Sequence, residues 1–368
     1  MTREVLLGSL VQPDGQLRQA RVVVEGERIA SVELGGPGAG DPIIAAGFID
    51  LQVNGVAGHD AGTGSEAIAA ISEFLPRTGV TGFLPTMISR PLAQGRHFVV
   101  AAEAAARAAA GARVLGAHLE GPFLSRDRPG AHDPDCFLLP TPERLASVLE
   151  RPPRMMTVAP ELLDGLHAVR TLARAGVVVS VGHSAATYEE GLAAFDAGAR
   201  FATHLFNTMP PLHHRLPGLV GAVLDDARVS AGIIADGVHV HPALLAVAAR
   251  VKGAGRLALT TDQVAAAAAP PGRYLLAGRE VVRDGDAVRL TDGTMAGSAA
   301  TMDLLVRNAA ERLGLYRALA MASRTPARVL GLRRRGRVAA GYDADLVVLG
   351  SDLCVRRTLV GGRAVYAA

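Results

Sequence analysis

Four polar residues interrupt apolar runs of the sequence, and each stands at the carboxyl-terminal end of its run. A carboxylate buried in such a place must pair, ligate a metal or shift its pKa, because an isolated buried charge is strongly destabilising. Two imidazoles and one carboxylate make the three-ligand set of a catalytic Zn²⁺ or a similar divalent ion, with one position open for water. A second acid is then available for proton transfer. The four residues are Glu120, His183, His204 and Asp262.

The segments that must position these residues alternate between apolar strand-like runs and Ala/Leu-rich helical stretches, which is the pattern of parallel βα units. Eight such runs predict an α/β fold of the (β/α)8, TIM-barrel type, whose active site lies at the carboxyl ends of the strands. A lone histidine is usually a satisfied core residue, but four polar residues at matching strand ends favour a metal site. The runs are residues 47–53, 81–85, 114–120, 155–160, 177–183, 201–205, 230–236 and 257–262, and helices are predicted at 65–77, 92–110, 188–197, 242–251 and 299–313.

The two ends of the chain consist of short β-rich segments and are predicted to form a separate domain. Residues 1–45 and 333–368 together should build one small β-sandwich, and residues 46–332 should form the barrel domain. An insertion at about residues 265–295 contains extended segments separated by the turn sequence Asp284-Gly285, which predicts a β-hairpin beside the barrel mouth.

Charge and cysteine content narrow the choice of partners and location. The net charge of +3 and the pI near 9.2 come from scattered arginines without a cluster, so nucleic-acid binding is not predicted. No uncharged run is long enough to span a bilayer, and the first residues show no basic segment that leads into an apolar region. Cys136 and Cys354 are too far apart in sequence for a metal pair or a disulfide framework. A cytoplasmic protein without a membrane partner is predicted.

Several motifs of the chain are similar to those of a known enzyme family, and they extend over nearly its whole length. The motifs His118-Leu-Glu-Gly-Pro122 and Thr203-His-Leu-Phe-Asn-Thr-Met-Pro210 are the specific ones, whereas the tail Gly341-Tyr-Asp-Ala-Asp-Leu-Val-Val-Leu349 is common among amidohydrolases. With Gly47–Asp50, Gly182–Ser184, His213–Gly218, Ile234–His239 and Gly293–Ser298, they resemble the N-acetylglucosamine-6-phosphate deacetylase family of the amidohydrolase superfamily.

The resemblance implies metal-assisted hydrolysis of the acetamide of N-acetylglucosamine 6-phosphate, which gives glucosamine 6-phosphate and acetate. It implies that Glu120, His183 and His204 hold the metal ion, and that a water molecule activated by this ion attacks the carbonyl group. Asp262 is then the general base and later the general acid. His132 resembles the family histidine that contacts the substrate near the scissile carbonyl group.

The resemblance also implies a phosphate site and a homodimer. Asn207, Arg215 and His239, with backbone N–H groups near Thr208, are the expected phosphate ligands. Residues that match Arg215 and His239 reach the phosphate from a neighbouring subunit in the family, so both are predicted to contact the site of the partner.

The sequence departs from the amidohydrolase pattern at two places. Gln52 and Asn54 replace a His-x-His pair, and amides are poor Zn²⁺ ligands compared with imidazole. Lys252 is the only lysine and follows the helix of the seventh strand, so no carboxylated lysine can bridge two metals. One divalent ion per subunit is predicted, with Zn²⁺ favoured and Fe²⁺, Mn²⁺ or Co²⁺ as alternatives. Gln263 follows Asp262 where the family more often has a small residue, so the pocket beside Asp262 is expected to differ from that of the family.

Two other functions are compatible with parts of this sequence. An amidohydrolase of the same fold and metal content would act on another N-acyl sugar phosphate, such as N-acetylgalactosamine 6-phosphate, or on an N-acyl amino acid. A catalytically inactive barrel would serve only as a binding module, but such a protein is expected to have lost ligands, and all four site residues are present here.

Overall fold

A barrel of eight parallel strands is the central element of the computed structural model, which describes residues 3–368. The strands lie side by side in sequence order, and a parallel bridge between Val53 and Gln263 links the two edges, so that the barrel is nearly closed. Both faces of these strands are covered, as in the second strand, where all nine residues are buried. The predicted barrel is confirmed. Its strands are Phe48–Val53, Val80–Ile88, His118–Glu120, Met155–Val158, Val178–Val181, Phe201–Ala202, Ser230–Ile233 and Leu257–Leu259, with the short strand Arg113–Val114 beside the second.

Helices follow the strands and pack their apolar faces on the outside of the barrel. The fifth one begins with a capping box, because the side chains of Thr187 and Glu190 each accept a hydrogen bond from the backbone N–H of the other. The α-helices are Ser65–Phe74, Leu92–Ala108, Pro142–Leu149, Gly165–Arg174, Tyr188–Ala197, Gly218–Asp225, Pro242–Lys252, Met302–Leu313, Leu315–Ala322 and Arg324–Val329, and the 3₁₀ turns are Ala61–Thr63, Leu75–Thr78 and Pro134–Cys136.

Strands from both ends of the chain form one seven-stranded mixed sheet, which confirms that the termini build a common β unit. The third strand of this sheet runs from Arg28 to Pro37. The strand Ile43–Ala46 pairs with Leu346–Leu349 and crosses the predicted domain border at residue 45, and the domain limits remain a prediction. The other strands of this sheet are Arg3–Val11, Leu17–Glu25, Val355–Val360 and Arg363–Ala367.

The insertion is a four-stranded antiparallel sheet, which we call the insertion sheet, rather than a single hairpin. The predicted turn at Asp284-Gly285 is present, since Asp284 pairs with Ala287. The apolar side of this sheet packs against Ile88 and Ala131 at the barrel mouth. No helix among residues 3–368 is long and apolar enough to cross a membrane. The strands of the insertion sheet are Gly272–Leu276, Arg279–Asp284, Ala287–Leu290 and Met295–Ser298. A separate two-stranded antiparallel sheet, Gly55–Val56 with His59–Asp60, follows the first barrel strand in the chain.

Candidate metal centre and active site

The carboxyl ends of four barrel strands bring the predicted residues together. Glu120 is the last residue of the third strand, and the other three follow their strands by two or three residues. His183, His204 and Asp262 have φ angles of 46°, 26° and 51°, in the left-handed region that costs a residue with a side chain about 1 kcal/mol or more. Such strain is typical of functional sites, where the surrounding structure holds it in place.

Three ligand atoms form a compact triangle. Glu120 Oε1 lies 3.0 Å from His204 Nε2 and 3.3 Å from His183 Nε2, and the two nitrogen atoms are 3.2 Å apart. Ligands of a tetrahedral zinc ion, at about 2.0–2.1 Å from the metal, stand about 3.4 Å from one another. The three side chains are buried. Their spacing and donor types therefore fit a divalent cation.

A hydrogen bond made by the other nitrogen of the His183 ring supports this arrangement. His183 Nδ1 lies 3.0 Å from the carbonyl oxygen of Arg128 and donates to it. This leaves His183 Nε2 without a hydrogen, as a metal ligand must be. His204 Nδ1 is buried and has no protein partner among residues 3–368.

The negative charge of Glu120 is stabilised by the histidine side chains that contact it. Although burial opposes ionisation, the close contacts with His132, His183 and His204 hold the pKa of Glu120 well below its usual value. Burial lowers the pKa of His204, but the contact with the Glu120 carboxylate outweighs this and raises it. Glu120 is thus an anion, the form that binds a metal.

His132 also belongs to this cluster, because its ligand atom lies within 4.8 Å of those of Glu120 and His183. The backbone N–H of Ser89 donates to His132 Nδ1 at 3.2 Å, so this nitrogen is an acceptor and the hydrogen is on Nε2. Nε2 lies 3.5 Å from Glu120 Oε2. Burial lowers the pKa of His132 to about 4. His132 is therefore neutral, with its Nε2–H directed toward Glu120.

The carboxylate of Asp262 is held by two amides. Gln52 Nε2 donates to Asp262 Oδ1 at 3.0 Å, and Asn54 Nδ2 donates to the same oxygen at 2.7 Å. Gln52 Nε2 also lies 3.0 Å from Glu120 Oε1. Burial, followed by the negative charge of Glu120, raises the pKa of Asp262 to about 6. Because both amides act on Oδ1, Oδ2 is the oxygen left for proton transfer.

Asp50 supports the residue that precedes Asp262. Its fully buried carboxyl group accepts hydrogen bonds from the backbone N–H and the hydroxyl group of Thr261, at 3.2 and 2.6 Å. Burial raises the pKa of Asp50 to about 7.

Replacing Asp50 with asparagine should change the pH dependence of stability. An aspartate ionises near pH 3.9 in the unfolded chain, whereas Asp50 stays protonated up to about pH 7 in the folded protein. The wild-type protein therefore loses stability as the pH rises between these values, and the asparagine variant lacks this loss. In urea unfolding at several pH values, the free energy of unfolding of the variant should rise relative to that of the wild type from pH 4 to 7. A difference between the two free energies that does not change with pH would contradict the prediction.

A cavity of about 180 Å³ opens above the triangle and contains most of the expected substrate residues. Asn207, Thr208 and His239 line it beside His132 and Asp262. A larger cavity of about 360 Å³ lies between the terminal sheet and the helix Leu315–Ala322, but its lining includes no histidine or carboxylate. The sequence did not indicate that the insertion sheet contributes to the smaller cavity, where its residues in the wall are Leu276, Met295 and Gly297, next to Thr294.

The two residues expected to act on a neighbouring subunit differ in position. Arg215 is exposed, and its guanidinium contacts His214 at 2.8 Å outside the cavity. His239 lines the cavity of its own chain, whereas the sequence predicted that it reaches the site of a partner. Asp236 accepts hydrogen bonds from the backbone N–H and from Nδ1 of His239, at 2.8 and 2.7 Å, and so turns the ring inward.

Comparisons with known proteins agree with this site. Residues 43–365 match the model of the amidohydrolase family. N-acetylglucosamine-6-phosphate deacetylase of Danio rerio is 40% identical over 342 residues, which cover 88% of this chain and 84% of the relative. N-acetylgalactosamine-6-phosphate deacetylase of Escherichia coli O157:H7 is 38% identical over 329 residues, which cover 87% of each protein.

A solved structure extends the likeness to the whole fold. An aspartate-to-alanine mutant of N-acetyl-D-glucosamine-6-phosphate deacetylase from Mycobacterium smegmatis, in complex with N-acetyl-D-glucosamine-6-phosphate, superposes with a TM-score of 0.93 at 33% identity. It covers 100% of both chains. This chain belongs to the N-acetylglucosamine-6-phosphate deacetylase family of the amidohydrolases.

Proposed function

We propose that this protein hydrolyses the acetamide of N-acetylglucosamine 6-phosphate to glucosamine 6-phosphate and acetate. The observation that carries the proposal is the triangle of Glu120, His183 and His204 beside the buried carboxylate of Asp262, in a chain that matches deacetylases of this substrate over most of its length. Purified protein supplied with Zn²⁺, Fe²⁺, Mn²⁺ or Co²⁺ should release acetate from this sugar. If none is released under any metal condition, the proposal fails.

Glu120, His183 and His204 are proposed to hold one divalent cation per chain, with Zn²⁺ favoured because its ligand set and spacing match. When bound, the cation acts as a Lewis acid that polarises the carbonyl oxygen and activates water. Gln52 and Asn54 direct their N–H groups toward carboxylates, and an amide N–H cannot ligate a metal. Their orientation supports a single ion.

The residues of the chain supply the proton transfers. Asp262 accepts a proton through Oδ2 as water attacks the acetamide, and it returns a proton to the nitrogen of the departing sugar amine. Its raised pKa makes both steps accessible near neutral pH. His132, as a neutral donor, directs its Nε2–H toward the oxygen on which negative charge develops.

The phosphate is proposed to bind at the far end of the cavity, near Asn207, Thr208 and His239. Arg215 is proposed to reach it from a second copy of the chain. Leu212 and Leu216, on the same loop, are 53% and 74% exposed, and exposed apolar side chains beside a site are typical of an interface between subunits. These features support a homodimer.

Replacing Arg215 with alanine should raise KM for the phosphorylated sugar about 10- to 100-fold, the expected loss of a charge-assisted hydrogen bond. Turnover of unphosphorylated N-acetylglucosamine should stay the same. Arg228→Ala removes another exposed arginine and is the matched control.

A mixed dimer distinguishes the chain of origin. Coexpressed Arg215→Ala and Asp262→Asn chains form hybrids in which one site has both residues only if Arg215 acts across the interface. Recovery of activity supports this, whereas hybrids no more active than the parent variants place Arg215 in its own site.

N-acetylgalactosamine 6-phosphate is a second candidate substrate, favoured by the 38% identity with the deacetylase of that sugar from Escherichia coli O157:H7. The two sugars differ only in the orientation of one hydroxyl group. The ratio of their kcat/KM values, measured on one sample with its metal content, distinguishes the candidates. A cytoplasmic location is part of the same proposal.

A further inference from the structure

The loop that carries His132, residues 125–137, is fixed from one side by the metal-site residue His183. The backbone N–H of Ser125 donates to the carbonyl oxygen of His183 at 3.0 Å, and His183 Nδ1 donates back to Arg128 O at 3.0 Å. Gly130 has a φ of 55°, and a Cβ atom there would lie 3.1 Å from His183 Cε1. The first half of the loop is therefore packed directly on this ring.

Ser89, at the end of the second barrel strand, fixes the ring of His132 itself. The Ser89 hydroxyl oxygen lies 3.0 Å from His132 Nδ1 and 3.2 Å from the backbone oxygen of Glu120. The Ser89 N–H, which donates to Nδ1 at 3.2 Å, sets the tautomer of the ring. These contacts define which nitrogen donates, but they do not hold the backbone of the loop.

Arg279 holds that backbone from the opposite side. Its Nη1 donates to the carbonyl oxygens of both Ala131 and His132, each at 2.8 Å. Arg279 opens the second strand of the insertion sheet and is 148 residues from Ala131 in sequence. A guanidinium offers several N–H groups in a rigid plane, so one nitrogen can bind two adjacent carbonyl oxygens.

We propose that Arg279 is a positioning residue for deacetylation, which acts by holding the 131–132 backbone so that His132 Nε2–H points at the reacting carbonyl group. The inference rests on the proposed function. Oxyanion donors act only over a narrow range of distance, and a displacement of about 1 Å in an active site can cost about 10²-fold in rate. The insertion sheet therefore serves the reaction through one side chain, in addition to forming a wall of the cavity.

Arg279→Met keeps the aliphatic part of the side chain and removes its donors. We expect kcat to fall about 10²-fold, with KM, metal content and melting temperature close to those of the wild type. Arg279→Lys, which offers a single flexible ammonium group, should recover part of the loss. Arg273→Met is the matched control, because Arg273 lies in the same sheet and pairs with the exposed Glu280 at the surface. It should retain wild-type kcat.

A double-mutant cycle tests whether Arg279 acts through His132. In a His132→Ala background, Arg279→Met should have almost no further effect on kcat, because the donor it positions is already absent. Multiplicative losses in the double variant, or loss of metal or of thermal stability in Arg279→Met alone, would overturn the inference and indicate a structural role.

The wild-type assay separates this inference from the proposed function. If the wild type releases no acetate from N-acetylglucosamine 6-phosphate, the proposed function fails. If the wild type is active and Arg279→Met is equally active, only the role of Arg279 fails.

Discussion

Replacing Glu120 with glutamine should abolish metal binding and deacetylation together. The amide keeps the shape of the side chain, but it removes the only carboxylate of the triangle and the negative charge that the three histidines stabilise. We expect the metal content to fall from about one ion per chain to near zero, and the rate to fall by about 10³-fold or more. Metal analysis and acetate release should be measured on the same sample.

Glu161→Gln is the matched control for this variant. Glu161 follows the fourth barrel strand and binds Ser184 and the backbone of Ala185, close to the site but outside the triangle. This variant should keep its metal. If Glu120→Gln retains a full complement of metal, the assignment of Glu120 as a ligand is wrong.

Asp262→Asn should separate chemistry from metal binding. The asparagine carbonyl oxygen can still accept the hydrogen bonds of Gln52 and Asn54, so the geometry is preserved. The amide cannot accept the proton, and kcat should fall about 10²- to 10⁴-fold. Metal content and KM should change little, because Asp262 lies outside the triangle.

Two comparisons complete the test of Asp262. Asp50→Asn introduces the same chemical change in a neighbouring buried acid and should retain most of the activity. If Asp262→Asn turns over substrate at the wild-type rate, another group is the base. If it loses metal together with activity, Asp262 is a ligand, and the assignment of roles must be revised.

The sequence predicted the barrel and the convergence of the site because both depend on local pattern. Runs such as 80–88 are apolar on both faces, which is typical of a parallel strand covered on both sides. Once eight runs are recognised, the carboxyl ends of parallel strands must meet, and Glu120, His183, His204 and Asp262 follow. The motifs then identified the family.

Contacts between segments that are far apart in sequence could not be predicted from local pattern. Arg279 resembles Arg273 and Arg283 in sequence, since all three lie in short strands of the same insertion, and only packing brings Arg279 to the His132 loop. The direction of the Gln52 amide is also a tertiary property. The inward turn of His239 depends on its contact with Asp236, which the family likeness alone did not indicate.

The triangle of Glu120, His183 and His204 also bears on how the protein acquires a metal ion in the cell. Its three side chains are anchored by the ends of separate barrel strands, which pack around a shared apolar core, so the chain should fold first and be loaded afterwards. Imidazole and carboxylate ligands accept several first-row divalent ions, and selection among them depends largely on availability. The ion found in protein purified from a cell should therefore follow the growth medium. Exchange of that ion should not require unfolding.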